Sequence, residues 1–337
     1  MDMHPLIFDP IYKPKLWGGT RIFDYFQRPR VGREPIGESW ELADLEEDAS
    51  RVAVGPARGR TLTELVDEWG PLLLGGAPLF EGRFPLLIKF LDARESLSVQ
   101  VHPTEKVARR LGGSVRVKHE AWYVLDTEPG GAIYHGLEPG VSVESFREAM
   151  TTGRVEGVLR RVVVKPGDCY YLPSGTCHAL GAGVLVAEVQ TPSDVTYRTF
   201  DWGRVDPGTG RPRELHLDQA IECIDFDSPS PPPMQDRSHL AAGPATITQL
   251  VHCPSFIIEK VRVGEGAQYP VPQGEPVVWI ILEGGGTIEM KKGQTPVPFT
   301  RGNVVLLPAG LTGVRARTTA PSQWLEVTVP VPGSSGS

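Results

Sequence analysis

The sequence predicts a mainly β protein with helical insertions, built as a closed sandwich or barrel and followed by a second, smaller β domain. Three observations carry this. Strand-like runs rich in β-branched and aromatic residues recur along the chain, among them "PLLIKFLD", "AWYVLD", "RRVVVKPG", "VLVAEVQ" and "PVVWIILEGGG". Glycine (38) and proline (32) both exceed ordinary usage, as many tight turns require. At residues 225–238, "DFDSPSPPPMQDRS" sets three consecutive prolines among serines, the mark of a stiff exposed linker. The partition is therefore a first domain over 1–226, a linker over 227–240, a second domain over 241–331 and a disordered tail over 332–337.

Charge and cysteine usage narrow the function classes. Of 337 residues, 34 are Lys or Arg and 41 are Asp or Glu, a formal charge of -7 that argues against nucleic acid as a partner. A small anionic substrate stays open, because a few convergent cations override a mildly negative surface. The four cysteines, Cys169, Cys177, Cys223 and Cys253, form no CxxC pair, and a chain this long needs no disulfide staples. The N-terminus lacks a basic stretch followed by an apolar run, and no window approaches eighteen uncharged apolar residues. No membrane association is expected, and the expected location is cytoplasmic. The expected assembly is a monomer, with a homodimer as the alternative.

Helical candidates are few. "TLTELVDEWGPLLLG" starts at Thr61 with Glu64 three residues on, a capping box. "PTEKVARRLGG" follows Pro103 and stops at Gly112, while "SVESFREAMTTG" and "RVEGVLRRV" read as short helices around Gly153.

Two stretches carry chemistry. In "SVQVHP", residues 98–103, strand alternation puts Ser98, Gln100 and His102 on one face and Leu97, Val99 and Val101 on the other. A buried polar row must be hydrogen-bonded or bound to something. From Gly167 the chain reads "GDCYYLPSGTCHALGAG": a glycine turn, a short strand, a tight turn at Pro173 and Gly175, and then His178, whose direction that turn fixes.

The skeleton from Gly167 to His178 resembles the second motif of the cupin superfamily, double-stranded β-helix (jelly-roll) barrels that hold a metal inside. The fuller match is to one family, the type I phosphomannose isomerases. "KPKLWGG" at 13–19, "GESWELAD" at 37–44, "LIKFLDARESLSVQVHP" at 87–103, "KHEAWYVL" at 118–125 and "VAEVQTPSDVTYRTFDW" at 186–202 follow in the order of that family. The resemblance covers residues 5–226 strongly and the remainder weakly. It implies a metal-binding catalytic cupin barrel, then a second cupin-like β domain.

It also implies one zinc ion per chain, held by Gln100, His102, Glu120 and His178. Two imidazoles and a carboxylate are a frequent catalytic zinc set. Alternation in "KHEAWYVL" separates His119 from Glu120, so only one of them faces the metal. Cys177 points away from His178 and reads as core. Trp17 reads as packing beside the site. His135, in "IYHGL", reads as a turn-like rim segment.

The implied reaction interconverts D-mannose 6-phosphate and D-fructose 6-phosphate through a cis-enediol, with zinc as a Lewis acid. Lys89 sits in an otherwise apolar run, where a merely solvated lysine is out of place. Lys89 and Ser98 are the expected substrate anchors. Glu188 and Arg198 read as a pair, with Asp194 near the turn between their strands. Lys118 and Arg198 would add positive potential where negative charge develops. Lys118 and Glu188 both remain candidates for the base. The rival readings are another cupin phosphosugar isomerase or epimerase, and a non-catalytic sugar-binding cupin.

The second domain repeats the turn skeleton. Gly302, Pro308 and Gly310 keep the spacing of Gly167, Pro173 and Gly175, but Gly313 stands where the first copy has His178. The expectation is a barrel without a metal.

Overall fold

The strand-like runs do form sheets, and the sheets stay open. The computed structural model describes residues 3–113, 115–193, 195–227 and 239–331; Asp194, the tail and most of the expected linker lie outside them. Among the described residues the five sheets have linear strand orders, and none closes on itself. The expected closed cupin barrel is corrected on this point, and so is its smaller companion. The reason is physical. A glycine–proline turn fixes how one strand hands over to the next. Closure further requires the first and last strands to hydrogen-bond, with tilt and shear matched around the ring.

The chain divides into two compact units, one of Met1–Ile11, Trp40–Leu87 and Met234–Ser337, the other of Tyr12–Ser39 and Ile88–Pro233. The second of these carries a five-stranded sheet ordered Tyr197–Phe200, Val99–Val101, His178–Leu180, Ala132–Leu137, Leu159–Val163. It also carries most of a six-stranded sheet ordered Ile11–Gly19, Ile36–Leu42, Leu87–Ala93, Val184–Gln190, Glu120–Thr127, Cys169–Leu172. Residues of both sheets meet in one apolar cluster that includes Trp17, Leu91, Trp122, Ile133, Tyr170, Leu180 and Val186. The two faces therefore pack together and exclude water between them.

The opposite face of the five-stranded sheet is covered by the helical insertions. Val99, Val101, Tyr134, Cys177 and Ala179 form a second cluster with Val107, Phe146, Met150 and Cys223 from three helices. Those helices are Glu105–Leu111, Val143–Thr152 and Leu217–Cys223. Thr104 and Ser142 accept from the third backbone N–H of the first two helices, and Gly112 and Gly153 end them. Each such cap is worth about 1 kcal/mol. Of "RVEGVLRRV" only Val155–Gly157 is helical, and Leu159–Val163 is an edge strand instead. Leu97 departs from the expected alternation. It precedes the strand and packs in the cluster between the sheets, apart from Val99 and Val101.

In the other unit, Thr61 makes the capping box with Glu64 that opens helix Leu62–Trp69. Seven- and four-stranded sheets carry the C-terminal segment, and the strand Leu6–Ile7 pairs with Val304–Leu307. One cross-strand pair occurs in both units. Trp122 faces Glu188, and Trp279 faces Glu326; in each pair the indole Nε1 donates to the carboxylate at 2.8 Å. Two residues before the tryptophan, Glu120 in the first copy is Val277 in the second.

Burial pushes the Glu326 carboxyl up to about 7. The donor Trp279 opposes that shift, the nearby Glu259 adds to it, and the donor Tyr269 opposes it. A carboxyl raised in the folded state makes the unfolded state bind fewer protons between pH 4.5 and 7, so stability is lost as pH rises through that window. Glu326→Gln should therefore be more stable than the parent at pH 8, by up to about 3 kcal/mol. The gain should vanish near pH 4. Urea unfolding at both pH values checks this, and an equal effect at the two would refute it.

Candidate active site

One turn assembles the site. Thr176 N–H donates to Pro173 C=O, closing the turn, and Gly175 takes φ +89, a region that favours glycine. A Cβ on Gly175 would meet Thr104 Cγ2 at 2.8 Å. Three residues of the turn then each grip a part of the site. Gly175 N–H donates to the His102 carbonyl at 3.0 Å. Ser174 Oγ accepts from Lys118 N–H at 3.1 Å and donates to Lys118 C=O at 2.8 Å. The Thr176 carbonyl holds His178 Nδ1 at 2.8 Å.

Both imidazoles are oriented in the same way. His102 Nδ1 meets the Val195 carbonyl at 2.9 Å, as His178 Nδ1 meets that of Thr176. A carbonyl only accepts, so each Nδ1 carries the proton and each Nε2 is left with a lone pair. Both Nε2 atoms lie 3.1 Å from Glu120 Oε2. All three side chains are about 1% exposed, so no water screens them. They come from both sheets: His178 opens a strand of the five-stranded sheet, His102 follows another, and Glu120 opens a strand of the six-stranded sheet.

Three acceptor atoms converging in a dry interior repel one another unless a cation lies between them. Tetrahedral bonds of about 2.0–2.1 Å put neighbouring ligand atoms roughly 3.3 Å apart, close to the observed 3.1 Å. Among the described residues, His102, Glu120 and His178 form a cluster able to hold a metal ion. Gln100 pairs with His178 across the sheet, and its amide nitrogen lies 3.3 Å from His178 Nε2.

The electrostatics agree. Burial alone would push the Glu120 carboxyl up, but the Lys118 ammonium beside it outweighs this and holds it well below its ordinary value. Lys118 Nζ lies 2.6 Å from Glu120 Oε1. Burial, reinforced by Lys118, lowers His102 to about 4 against the opposing pull of Glu120. The imidazole is thus neutral at pH 7, the form that binds a metal.

The remaining expected residues fall into two groups. Glu188 accepts from Trp122 at 2.8 Å and lies 3.5 Å from Lys89 Nζ; the rings of Trp122 and His178 meet at a near-perpendicular angle. Burial, helped by the charge of Glu120, raises the Glu188 carboxyl. Ser98 is buried immediately before the Val99–Val101 strand. Arg198 does not stand opposite Glu188. It faces Gln100 on the outer strand of the five-stranded sheet, and its Nη1 donates to the Glu214 carbonyl. The reading from sequence assumed that consecutive strands pair. Here Val184–Gln190 and Tyr197–Phe200 belong to different sheets.

His119 turns away to Tyr171, with Nδ1 2.9 Å from Oη, and Cys177 packs in the outer core, both as alternation requires. Trp17 is buried between the sheets beside Trp122. His135 is a difference. It lies within a strand, 1% exposed and directly opposite His178, rather than on a rim. Arg198, Gln100, His178 and His135 thus form one row across four strands. The run "GAIYHG" carried a sign of the burial alone, for its alternation sets His135 with Ile133, a residue of the inter-sheet core.

Two packed β sheets around a His–Glu–His centre with lysines beside it define a metal-binding β protein built for a small polar substrate. Comparison with known proteins narrows this class. The family description "Phosphomannose isomerase type I, catalytic domain" matches residues 6–131. The mannose-6-phosphate isomerase ManA of Bacillus subtilis is 37% identical over 312 residues, 92% of this chain and 95% of that protein. A mannose-6-phosphate isomerase of Streptococcus mutans is 33% identical, over 90% and 92% of the two chains. The crystal structure of the mannose 6-phosphate isomerase from Bacillus subtilis superposes with a TM-score of 0.86 at 32% identity, covering 96% and 99%. A zinc-bound mannose 6-phosphate isomerase shares the fold at a TM-score of 0.74 and 15% identity, covering 96% and 99%. The chain belongs to the type I phosphomannose isomerase family.

Metal analysis should find close to one divalent ion per chain in protein purified without chelator. His102→Ala and His178→Ala should each remove most of it, and full occupancy in both would refute the ligand set. In metal-free protein, the depressed His102 makes the unfolded state bind more protons between pH 6.5 and about 4, so stability should be lost as pH falls through that window. Urea midpoints at pH 7 and pH 5 measure the loss, which His102→Gln should reduce.

Proposed function

We propose that this chain is a zinc-dependent aldose–ketose isomerase interconverting D-mannose 6-phosphate and D-fructose 6-phosphate. The observation that carries this is the His102–Glu120–His178 centre, buried beside Lys118 in a member of this family. Zinc suits two imidazoles and a carboxylate, and when bound it supplies Lewis acidity toward a sugar oxygen. Gln100, opposite His178 across the sheet, is proposed as a fourth ligand through its amide oxygen, which requires the amide to turn over from the orientation that sets its nitrogen 3.3 Å from His178 Nε2.

The chain's own groups do the rest. A base removes the proton on C2 of the open aldose while the C1 carbonyl oxygen gains one, giving the cis-enediol. A proton then returns to C1 as the C2 hydroxyl gives up its own. Glu188 is the proposed base: its carboxyl is raised, so its carboxylate is the better proton acceptor. Lys118 donates to Glu120 and is assigned a different task, keeping positive charge beside the developing enediolate. Lys89 and Ser98 anchor the phosphosugar. Arg198, on the outer strand of the same row as Gln100 and His178, adds positive potential in the transition state. The proposed location is the cytoplasm, a reading that the four buried free cysteines support. Among the described residues no helix is long and apolar enough to cross a membrane.

A coupled assay on mannose 6-phosphate tests substrate, reaction and cofactor together. Activity should disappear on chelation and return with zinc; isomerisation that survives full metal removal would refute the mechanism. Arg198→Ala should lower kcat and kcat/KM together, by about a hundredfold or roughly 3 kcal/mol, with KM and zinc content unchanged. Arg198→Lys should recover little if two guanidinium donors act together. A raised KM with normal turnover would make Arg198 a substrate anchor instead.

A further inference from the structure

Lys89 is shared between two carboxylates. Its Nζ lies 3.5 Å from Glu188 Oε2 and 3.7 Å from Glu38 Oε2. The other oxygen of Glu38, Oε1, lies 3.0 Å from Lys15 Nζ. Charge therefore alternates along Lys15, Glu38, Lys89 and Glu188. The four residues come from four neighbouring strands, in the order of the six-stranded sheet: Ile11–Gly19, Ile36–Leu42, Leu87–Ala93 and Val184–Gln190. Side-chain exposure falls along the row, from 36% at Lys15 through 12% and 8% to 5% at Glu188. At the outer end, Lys15 lines a cleft of about 500 Å³ with Trp17, Glu34 and Arg213. At the inner end, Glu188 is held by Trp122, whose ring touches His178.

The two separations at Lys89 matter. An ammonium facing one carboxylate in a dry interior closes to a charge-assisted hydrogen bond of about 2.7–2.9 Å, because low dielectric strengthens the pull. Lys89 stands well outside that distance from Glu188, with Glu38 drawing it the other way. Lys15 sets the strength of that draw by neutralising part of the charge on Glu38.

The geometry points to Glu38 as a positioning residue of the isomerase site: it keeps the Lys89 ammonium from closing onto Glu188, leaving Lys89 to the substrate and the Glu188 carboxylate to the proton. This rests on the roles proposed above for Lys89 and Glu188. The sequence shows Glu38 only as one residue of "GESWELAD" and gives no sign of what it touches.

Charge and packing make opposite predictions here. Glu38→Gln keeps the shape and loses the charge; Glu38→Asp keeps the charge and loses a methylene. If Glu38 positions Lys89 by charge, Glu38→Gln should lower kcat/KM by between about tenfold and a hundredfold, the scale of a misplaced catalytic group. KM should rise and kcat should fall, with zinc content unchanged. Glu38→Asp should recover most of the loss. A crystal structure of Glu38→Gln should show Lys89 Nζ closed onto Glu188. The inference is overturned if Glu38→Gln behaves as the parent, if Glu38→Asp is the worse of the two, if zinc is lost, or if Lys89 does not move. Lys89→Met and Glu188→Gln separate the two levels. If both are inactive while Glu38→Gln is active, only the inference on Glu38 falls. If both retain full activity, the roles assigned to Lys89 and Glu188 fall, and the inference falls with them.

Discussion

The Glu120 carboxylate is the constraint on which the rest of the site depends. It belongs to the six-stranded sheet, yet one of its oxygens meets both imidazoles of the five-stranded side, and the other meets Lys118. A charged group buried this deeply is tolerated only where partners surround it. Glu120 therefore sets how closely the two sheets approach at this end. The apolar cluster of Trp17, Trp122, Leu180 and Val186 brings the faces together without favouring one alignment over another. The alignment observed is the one in which Glu120, His102 and His178 converge on one point.

Lysine placement shows the same logic at a second distance from the centre. Lys118 contacts a ligand carboxylate directly, whereas Lys89 is suspended between two carboxylates that ligate nothing in the triad. Both are buried, so both shape the field inside the site more than any surface charge can. The net charge of -7 is therefore a poor guide to what an anionic substrate meets on entry.

Much of the site was legible in the sequence, and the reason is locality. Alternation over a few residues placed Gln100 with His102 and put His119 and Glu120 on opposite faces, while the choice of Glu120 came from the family resemblance. The spacing of Pro173, Gly175 and His178 encoded a turn that fixes a side chain. What stayed hidden depends on which strands become neighbours. The pairing of Arg198 with Gln100, the place of His135 opposite His178 and the role of Glu38 all follow from sheet order, and sheet order is not written in any short window. The closed barrel failed for the same reason, since closure belongs to the whole ring and not to a turn. The Trp122–Glu188 pair and its echo in Trp279–Glu326 were not read from the sequence, though their strings, "EAWYVL" with "VAEVQ" and "PVVWIIL" with "WLEVTV", are similar. Their meaning as cross-strand pairs appeared only with the register.

The turn at Pro173–Thr176 has one more consequence. Because it is bonded to the backbone of His102 and of Lys118, and its own carbonyl aims His178, the ligands are wired to one another through the main chain. The bonds that aim them run through the main chain and do not include the ion. The ordering entropy of the donor atoms is spent during folding, so an arriving ion finds a rigid socket of fixed bore and not a set of searching arms. Rigidity of that kind discriminates. A hard cation that needs six to eight oxygen ligands in a yielding shell cannot remodel this socket to its own preference, while a small ion content with four nitrogen and oxygen donors enters without rearrangement.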